Sequence, residues 1–458
     1  MVQPVTTTAL ASAAQPQPSR RPRRIVALAA ALTAALTLGL APAAHAGIWP
    51  PDPAAVVADQ PTADARLAAR VGSLAGSKLG KALSIEVTDV ASGAQVYGRK
   101  TVLARVPASN QKLLTAVAAL EALGPDRVFT TAVKRTGRSR TVTFVSGGDP
   151  ALTNAKIRDL ATQTAAALRA KAPAKSKGKH VVHVRLDDSL FRGATKHASW
   201  RYGGYPNRII RPVRATLRTV GSSSDSARSA TSYYMKRLKK DLPRGWVVKF
   251  GGKVTSTSAK ARPVASVTSE PVGELVARML RVSDNEVAEV LFRHLAVDAG
   301  YTATFRGGAK ATTRTLKRLG VDVTGLTVVD GSGLSPANRV RTTTMTSLLT
   351  VAADAAAHPR LSQLLFSDTS LPIAGRTGSL HSGYYRFTSQ AARCAQGAVV
   401  AKTGTLEHEQ ALSGYTVGAD GRLKAFSIMV NSLPRGDKAV QDARQRIDEI
   451  AAAVHGCS

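Results

Sequence analysis

Hydrophobic and polar positions change rhythm several times along the chain. Apolar residues recur at helical spacing from Thr62 to about Leu79, predicting a helix. "ALSIEVTDVASGAQVYG" (82–98) alternates with period two and breaks at Ser92-Gly93, which predicts a hairpin. "VPASNQKLLTAVAALEALG" (106–124) turns into a long apolar helical pattern, stopped by Gly124-Pro125. The middle of the chain holds short β-like runs, "RTVTFVSG", "HVVHVRL" and "GWVVKFGG", with loops predicted at 171–180 and 221–230. Helical spacing returns over 271–300 and 307–320. Three neighbouring strands, "GAVVAKTGTL", "ALSGYTVG" and "LKAFSIMVN", precede a closing helix over Lys438–Val454. Strands near both ends, flanked by terminal helices, predict an α+β domain built on an antiparallel sheet. A mainly β module, residues 131–265, interrupts it, so the domain comes in two parts, 62–130 and 266–458.

Charge changes this picture at two places. Residues 1–46 hold "RRPRR" (Arg20–Arg24), an uncharged apolar run Ile25–Ala41, and "AHA" at Ala44–Ala46. That order matches a signal peptide, and the apolar run is shorter than the ~20 residues of a membrane span. The expectation is an exported chain beginning near Gly47, with a Pro-rich segment over 47–61. The paired arginines also fit twin-arginine export. The formal charge of +33 falls to +29 without those four arginines. Residues 131–265 carry 29 Lys+Arg and 6 Asp+Glu, 29 − 6 = +23, so most of the excess lies in the module. For an exported protein such a surface suits anionic wall polymers or a lipid surface better than nucleic acid. Export also puts Cys394 and Cys457 in an oxidising space, where a bridge closing about 60 residues is worth on the order of 4 kcal/mol. Two free buried thiols are the alternative.

Ser109 stands three residues before Lys112. Alone, the pair reads as a helix N-cap and a surface charge. Two further short motifs change that: "SDN" at Ser283–Asn285 and "KTGT" at Lys402–Thr405. S-x-x-K, S-D-N and K-T-G, in this order, mark penicillin-interacting serine enzymes. The i,i+3 spacing puts Ser109 and Lys112 on one helix face. A buried lysine near a second cation, Lys402, would have its pKa lowered toward that of a useful base. Glycine in K-T-G is expected where substrate closely approaches a strand edge. The serine at a helix start also sits among unpaired N–H groups suited to an oxyanion.

From Ser109 to Ser283 is 283 − 109 = 174 positions, room for an entire domain. This layout resembles the D-alanyl-D-alanine carboxypeptidase/endopeptidase family of low-molecular-mass penicillin-binding proteins, which carry a large insertion after the SxxK helix. "SGGDPAL" (146–152), "DGSGLSPANRV" (330–340) and the block from "LPIAGRTGSL" onward resemble that family too. The resemblance implies a β-lactamase/transpeptidase-like fold acting on peptidoglycan stem peptides, with β-lactams as acylating inhibitors and no metal or cofactor. It implies Ser109 as nucleophile, Lys112 as its base and Ser283 as a proton shuttle to the leaving D-alanine. Asn285 would hold Lys112 and the substrate amide, and Lys402 would tune the charge. Thr403 and Thr405 would hold the terminal carboxylate across Gly404, and the N–H groups of Ser109 and Thr405 would form the oxyanion hole. Pro336 departs from the basic residue that the resemblance leads one to expect after "GLS", and Arg339 lies close enough to be a candidate substitute. "RTG" at Arg376–Gly378 lacks a preceding apolar strand and is read as a loop, and "HSGYYRF" near His381 as packing. A β-lactamase and a non-catalytic wall-binding protein are the competing readings.

Overall fold

The computed structural model describes residues 60–76, 79, 82–170, 180–200, 209–220, 223–365, 367 and 369–457. The signal-peptide and Pro-rich expectations, and most of the 171–180 loop, lie outside these residues.

Helix α1 (Gln60–Ala75) leads into the hairpin β1 (Leu83–Asp89) and β2 (Gln95–Arg99). Asp89 closes its turn by accepting from the N–H and hydroxyl of Ser92. Helix α2 (Gln111–Leu123) is buried on nearly every side, in keeping with apolar residues all round its circumference. Next come β3 (Thr130–Arg135), β4 (Thr141–Val145), β5 (Asp149–Leu152), α3 (Asn154–Ala170), β6 (His180–Asp187), β7 (Thr216–Arg218), α4 (Ser226–Asp241), β8 (Trp246–Val254) and β9 (Arg262–Thr268). Helices α5 (Val272–Arg281), α6 (Asn285–Asp298), α7 (Phe305–Arg318), α8 (Thr342–Ala353) and α9 (Pro359–Leu365) follow. The chain ends in β10 (Val400–Thr405), β11 (Gln410–Val417), β12 (Leu423–Val430) and α10 (Asp437–His455).

The first sheet is antiparallel, ordered β10-β11-β12-β1-β2. Its period-two pattern serves two cores. Ala425 and Met429 face a cluster shared with α2, α5 and α6, whereas Phe426, Ile428 and Val430 face one shared with α1 and α10. Covered on both faces, this sheet is a rigid platform for the residues on its β10 edge. Cys394 and Cys457 form a disulfide that ties the end of α10 to the turn before β10.

The second sheet is drawn from residues 130–268, ordered β8-β6-β4-β3-β9, with β4, β6 and β8 parallel. Parallel neighbours need crossovers. Helices α3 and α4 lie on those connections and pack on one face of the sheet. Neither helix is marked by the hydrophobic pattern of the sequence, and the loop expected over 221–230 ends at Asp225. The Asp225 side chain caps α4 by accepting from Arg228 N at 3.0 Å. The buried stripe of α4 is Ala227, Ala230, Thr231, Tyr234 and Leu238. Small and hydroxyl-bearing residues at helical spacing hide that period from a hydrophobicity reading.

Candidate active site

Ser109 is not the N-cap of α2. It lies in a single 3-10 turn, Ala108–Asn110, that feeds the helix. Ala108 sits at φ 49°, a strained position for a residue with a Cβ. The turn is fixed from outside: Val106 N donates to Asn431 Oδ1 at 2.8 Å, and Asn431 Nδ2 returns a bond to Val106 O at 3.1 Å. Two glycines let other segments close on it. A Cβ on Gly333, itself at φ +81°, would strike Ala108 O, and one on Gly404 would lie 2.7 Å from Pro107 O. The glycine of K-T-G therefore admits the turn that carries Ser109, whereas the sequence suggests only a close approach of substrate.

Lys112, on the first turn of α2, is wholly buried. Its Nζ donates to Ser109 Oγ at 3.1 Å, Asn285 Oδ1 at 2.7 Å and Ser332 O at 2.7 Å. Burial brings its pKa from 10.5 to about 8, against the pull of Asp330, Glu289 and Asp284. Lys402 was expected to lower Lys112, yet the repulsion registers on Lys402. There, burial first and the charge of Lys112 second push the pKa well down.

The S-D-N motif divides its work. Asp284 caps α6, accepting from Glu286 N and Val287 N at 2.9 and 3.1 Å. Ser283 is held at φ 58° and accepts from Lys402 Nζ at 2.9 Å. Asn285 faces Lys112 with its oxygen and donates from Nδ2 to Ile209 O at 3.0 Å. Two hydrogen-bonded Ser–Lys pairs thus meet across one cleft of about 700 Å³, whose walls include Ser109, Ser283, Asn285 and Thr405. Thr403 and Thr405 point alike from β10. Thr403 Oγ1 lies 2.6 Å from Ser379 Oγ, so the chain beside the "RTG" loop touches the K-T-G strand.

Several contributors carried no sequence signal. Glu289, wholly buried on α6, accepts from Gly331 N and Ser332 N at 3.1 and 2.8 Å and so sets the carbonyl that Lys112 meets. Burial and the nearby Asp330 raise its pKa. Asp330 folds the "DGSGLS" loop by accepting from Gly333 N, Ser335 N, Asn338 Nδ2 and Trp200 Nε1. Arg444 of α10 stands beside Thr405. The basic middle segment also reaches the site. Ile209 lines the cleft, and Arg211 pairs with Glu286, next to Asn285, at 2.6 Å. Arg339 does not line the cleft, because its guanidinium turns back onto Pro336 O and Asn338 O. In "HSGYYRF", only Arg386 and Phe387 are buried, while Tyr384 and Tyr385 are exposed.

An all-antiparallel sheet whose edge presents Lys-Thr-Gly-Thr to a helix opened by Ser-x-x-Lys places this chain among the penicillin-interacting active-site serine enzymes. Comparison with known proteins narrows the class. Residues 66–230 and 215–454 match the D-Ala-D-Ala carboxypeptidase 3 (S13) family, and the chain belongs to it. It is 30% identical over 437 residues to the carboxypeptidase DacB of Mycolicibacterium smegmatis, covering 90% of this chain and 88% of that one. It is 29% identical over 441 residues to the D-alanyl-D-alanine carboxypeptidase of Actinomadura sp., covering 80% of each. Penicillin binding protein 4 (dacB) from Haemophilus influenzae superposes with a TM-score of 0.68 at 22% identity, over 84% of this chain and 97% of that one. The same protein has also been solved in complex with a β-lactam.

Proposed function

We propose that this S13-family serine carboxypeptidase cleaves D-Ala-D-Ala ends of peptidoglycan stem peptides through an acyl-enzyme on Ser109. The observation that carries this reading is the bond from Lys112 Nζ to Ser109 Oγ, with the lysine buried and its pKa near 8. Neutral Lys112 takes the Ser109 proton as Oγ attacks the penultimate D-alanine carbonyl. Backbone N–H groups of Ser109 and Thr405 receive the oxyanion. As the C–N bond breaks, the proton taken up by Lys112 passes through Ser283, positioned by Lys402, to the leaving nitrogen, which returns Lys112 to its neutral form. Water then attacks the ester and gives its proton to Lys112, and Ser109 Oγ leaves reprotonated. Asn285 holds Lys112 and offers its Nδ2 to the substrate in place of Ile209 O. Thr403 and Thr405 take the terminal carboxylate.

Labelled benzylpenicillin should attach to Ser109 and no other serine by peptide mapping, and Ser109→Ala should abolish labelling. A label on Ser332 or Ser379 overturns the assignment. Release of D-alanine from a small D-Ala-D-Ala peptide, with deacylation of penicillin slow, separates this function from a β-lactamase and from a non-catalytic binder.

The basic module, 131–265, is read as an inserted domain that holds the exported enzyme on anionic wall polymers. Its second sheet presents a cleft of about 260 Å³ lined by Lys134, Arg185 and the hydroxyls of Thr141, Thr143 and Thr257, which suits a phosphate- or carboxylate-bearing glycan. Among the described residues, no helix is long and apolar enough to cross a membrane. Sedimentation with purified walls should fall as salt rises, because exposed charges are screened within about 8 Å at physiological ionic strength.

A further inference from the structure

Two arginines stand at the Thr403–Thr405 end of the site, and among the described residues only Arg386 is held in an ion pair. Arg386 grips Asp448 with Nε at 2.9 Å and Nη2 at 2.5 Å, and Phe387 N adds a third bond to that carboxylate. Arg444 lies four residues before Asp448 on α10, the spacing of a helical ion pair. Its natural partner is thus already committed to Arg386. Among the described residues Arg444 meets only neutral oxygens, Gln410 Oε1 at 3.2 Å from Nε and Thr405 Oγ1 at 3.4 Å from Nη2. Burial first and the neighbouring Arg386 second push its pKa down, against the weaker pull of Asp448 and Asp437, neither of which it meets in an ion pair.

Position gives this unpaired guanidinium a use. Arg444 and Thr405 stand on the wall shared by two hollows. One contains Ser109, Ser283 and Asn285, and the other contains Thr403, Ser379 and Arg386. A half-buried cation without a partner is costly unless an anion completes it. A guanidinium also offers several N–H groups in a plane that matches a carboxylate.

We propose that Arg444 binds the carboxylate that the substrate carries on the carbon bonded to its scissile nitrogen, closing with Thr403 and Thr405 an anion pocket at the end of the cleft. The substrate class is then an acyl-D-alanyl peptide whose leaving amino acid has a free carboxylate. This rests on Ser109 being the acylated group. No feature of the primary structure marked the residue: Arg444 is one of 63 Lys+Arg, on a helix with an ordinary polar face.

The test compares an acyl-D-Ala-D-Ala acid with its C-terminal amide. Wild-type protein should favour the acid. Arg444→Gln should lower kcat/KM for the acid about 10- to 100-fold, the worth of one charge-assisted hydrogen bond, mainly through KM. It should leave the amide within about twofold, and Arg444→Lys should restore part of the preference. Equal losses on acid and amide would show that Arg444 only shapes Thr405 and Gln410, and would overturn the proposal. So would an unchanged acid rate. If wild-type protein turned over neither peptide, the carboxypeptidase function would fail, and acylation rates would still decide the role of Arg444. Arg444→Gln should slow acylation by benzylpenicillin and spare its methyl ester, and equal slowing would reject the assignment.

Discussion

The pH dependence of Ser109 acylation follows from the burial of Lys112. An ordinary lysine, with a pKa of 10.5, is neutral in only about three of 10⁴ molecules at pH 7. With the pKa at about 8, the neutral share at pH 7 becomes about one in ten, roughly 300 times more of the competent base. With Lys112 as the proposed base, the neutral form is the active one, so the rate is expected to rise with pH, not fall. Below the inflection it should climb about tenfold per pH unit, reach half its limit near pH 8 and level off about one unit higher. The measurement is the second-order rate constant of acylation by benzylpenicillin, which has no group titrating in that range, from pH 5.5 to 9.5 at fixed ionic strength. Lys112→Ala should cost on the order of 10²–10⁴ in rate and erase the inflection. A flat profile between pH 6 and 8, or an inflection surviving in Lys112→Ala, would refute the assignment of Lys112 as base.

Two further outcomes test the framework around the site. The Cys394–Cys457 bridge should leave no reactive thiol in denatured, unreduced protein, and Cys457→Ser should lower the melting temperature through the C-terminal helix. His294, wholly buried and stacked 3.5 Å from Phe129, has its pKa lowered by burial from 6.5 to about 4. Above pH 6.5 both folded and unfolded states leave it neutral, so it contributes no pH dependence. Between about 6.5 and 4 only the unfolded state takes the proton, and stability falls with pH by as much as about 3 kcal/mol. In urea titrations at pH 7 and 4.5, His294→Asn should show a shallower loss than wild type, whereas identical slopes would exclude His294 as the cause.

The catalytic framework was legible because its signals are local. Three short strand-like runs marked β10, β11 and β12, and the stop at Gly124-Pro125 marked the end of α2. The three short motifs named both Ser–Lys pairs that the fold brings within 3.1 Å. What stayed hidden depends on distant neighbours. Ile157, Leu160, Ala161, Thr164, Ala165 and Leu168 of α3 follow a helical period, but alanine and threonine dilute it among polar residues. Glu289 resembles any helix glutamate until the 330s loop folds over it. Arg444 looks like surface charge until Asp448 is found taken by Arg386. The contact of residues 209–211 with Asn285 and Glu286 joins segments about 75 positions apart and has no local mark.

The clasp between Val106 and Asn431 ties the turn that carries Ser109 to the segment after β12. Residue 106 is made early, and its partner comes 325 positions later. The same holds for the sheet, whose central strand β12 pairs with β1. Pairings this far apart in sequence form late and slowly, because a long loop must close before any contact repays it. A chain emerging N-terminus first can build α2 and fold its middle segment while the turn holding Ser109 is still unfastened. Activity therefore arrives in one step with the last strands. A product truncated before residue 423 would keep Ser109, Lys112, Ser283 and Lys402 yet leave them unassembled, so penicillin reactivity reports completion of the whole chain.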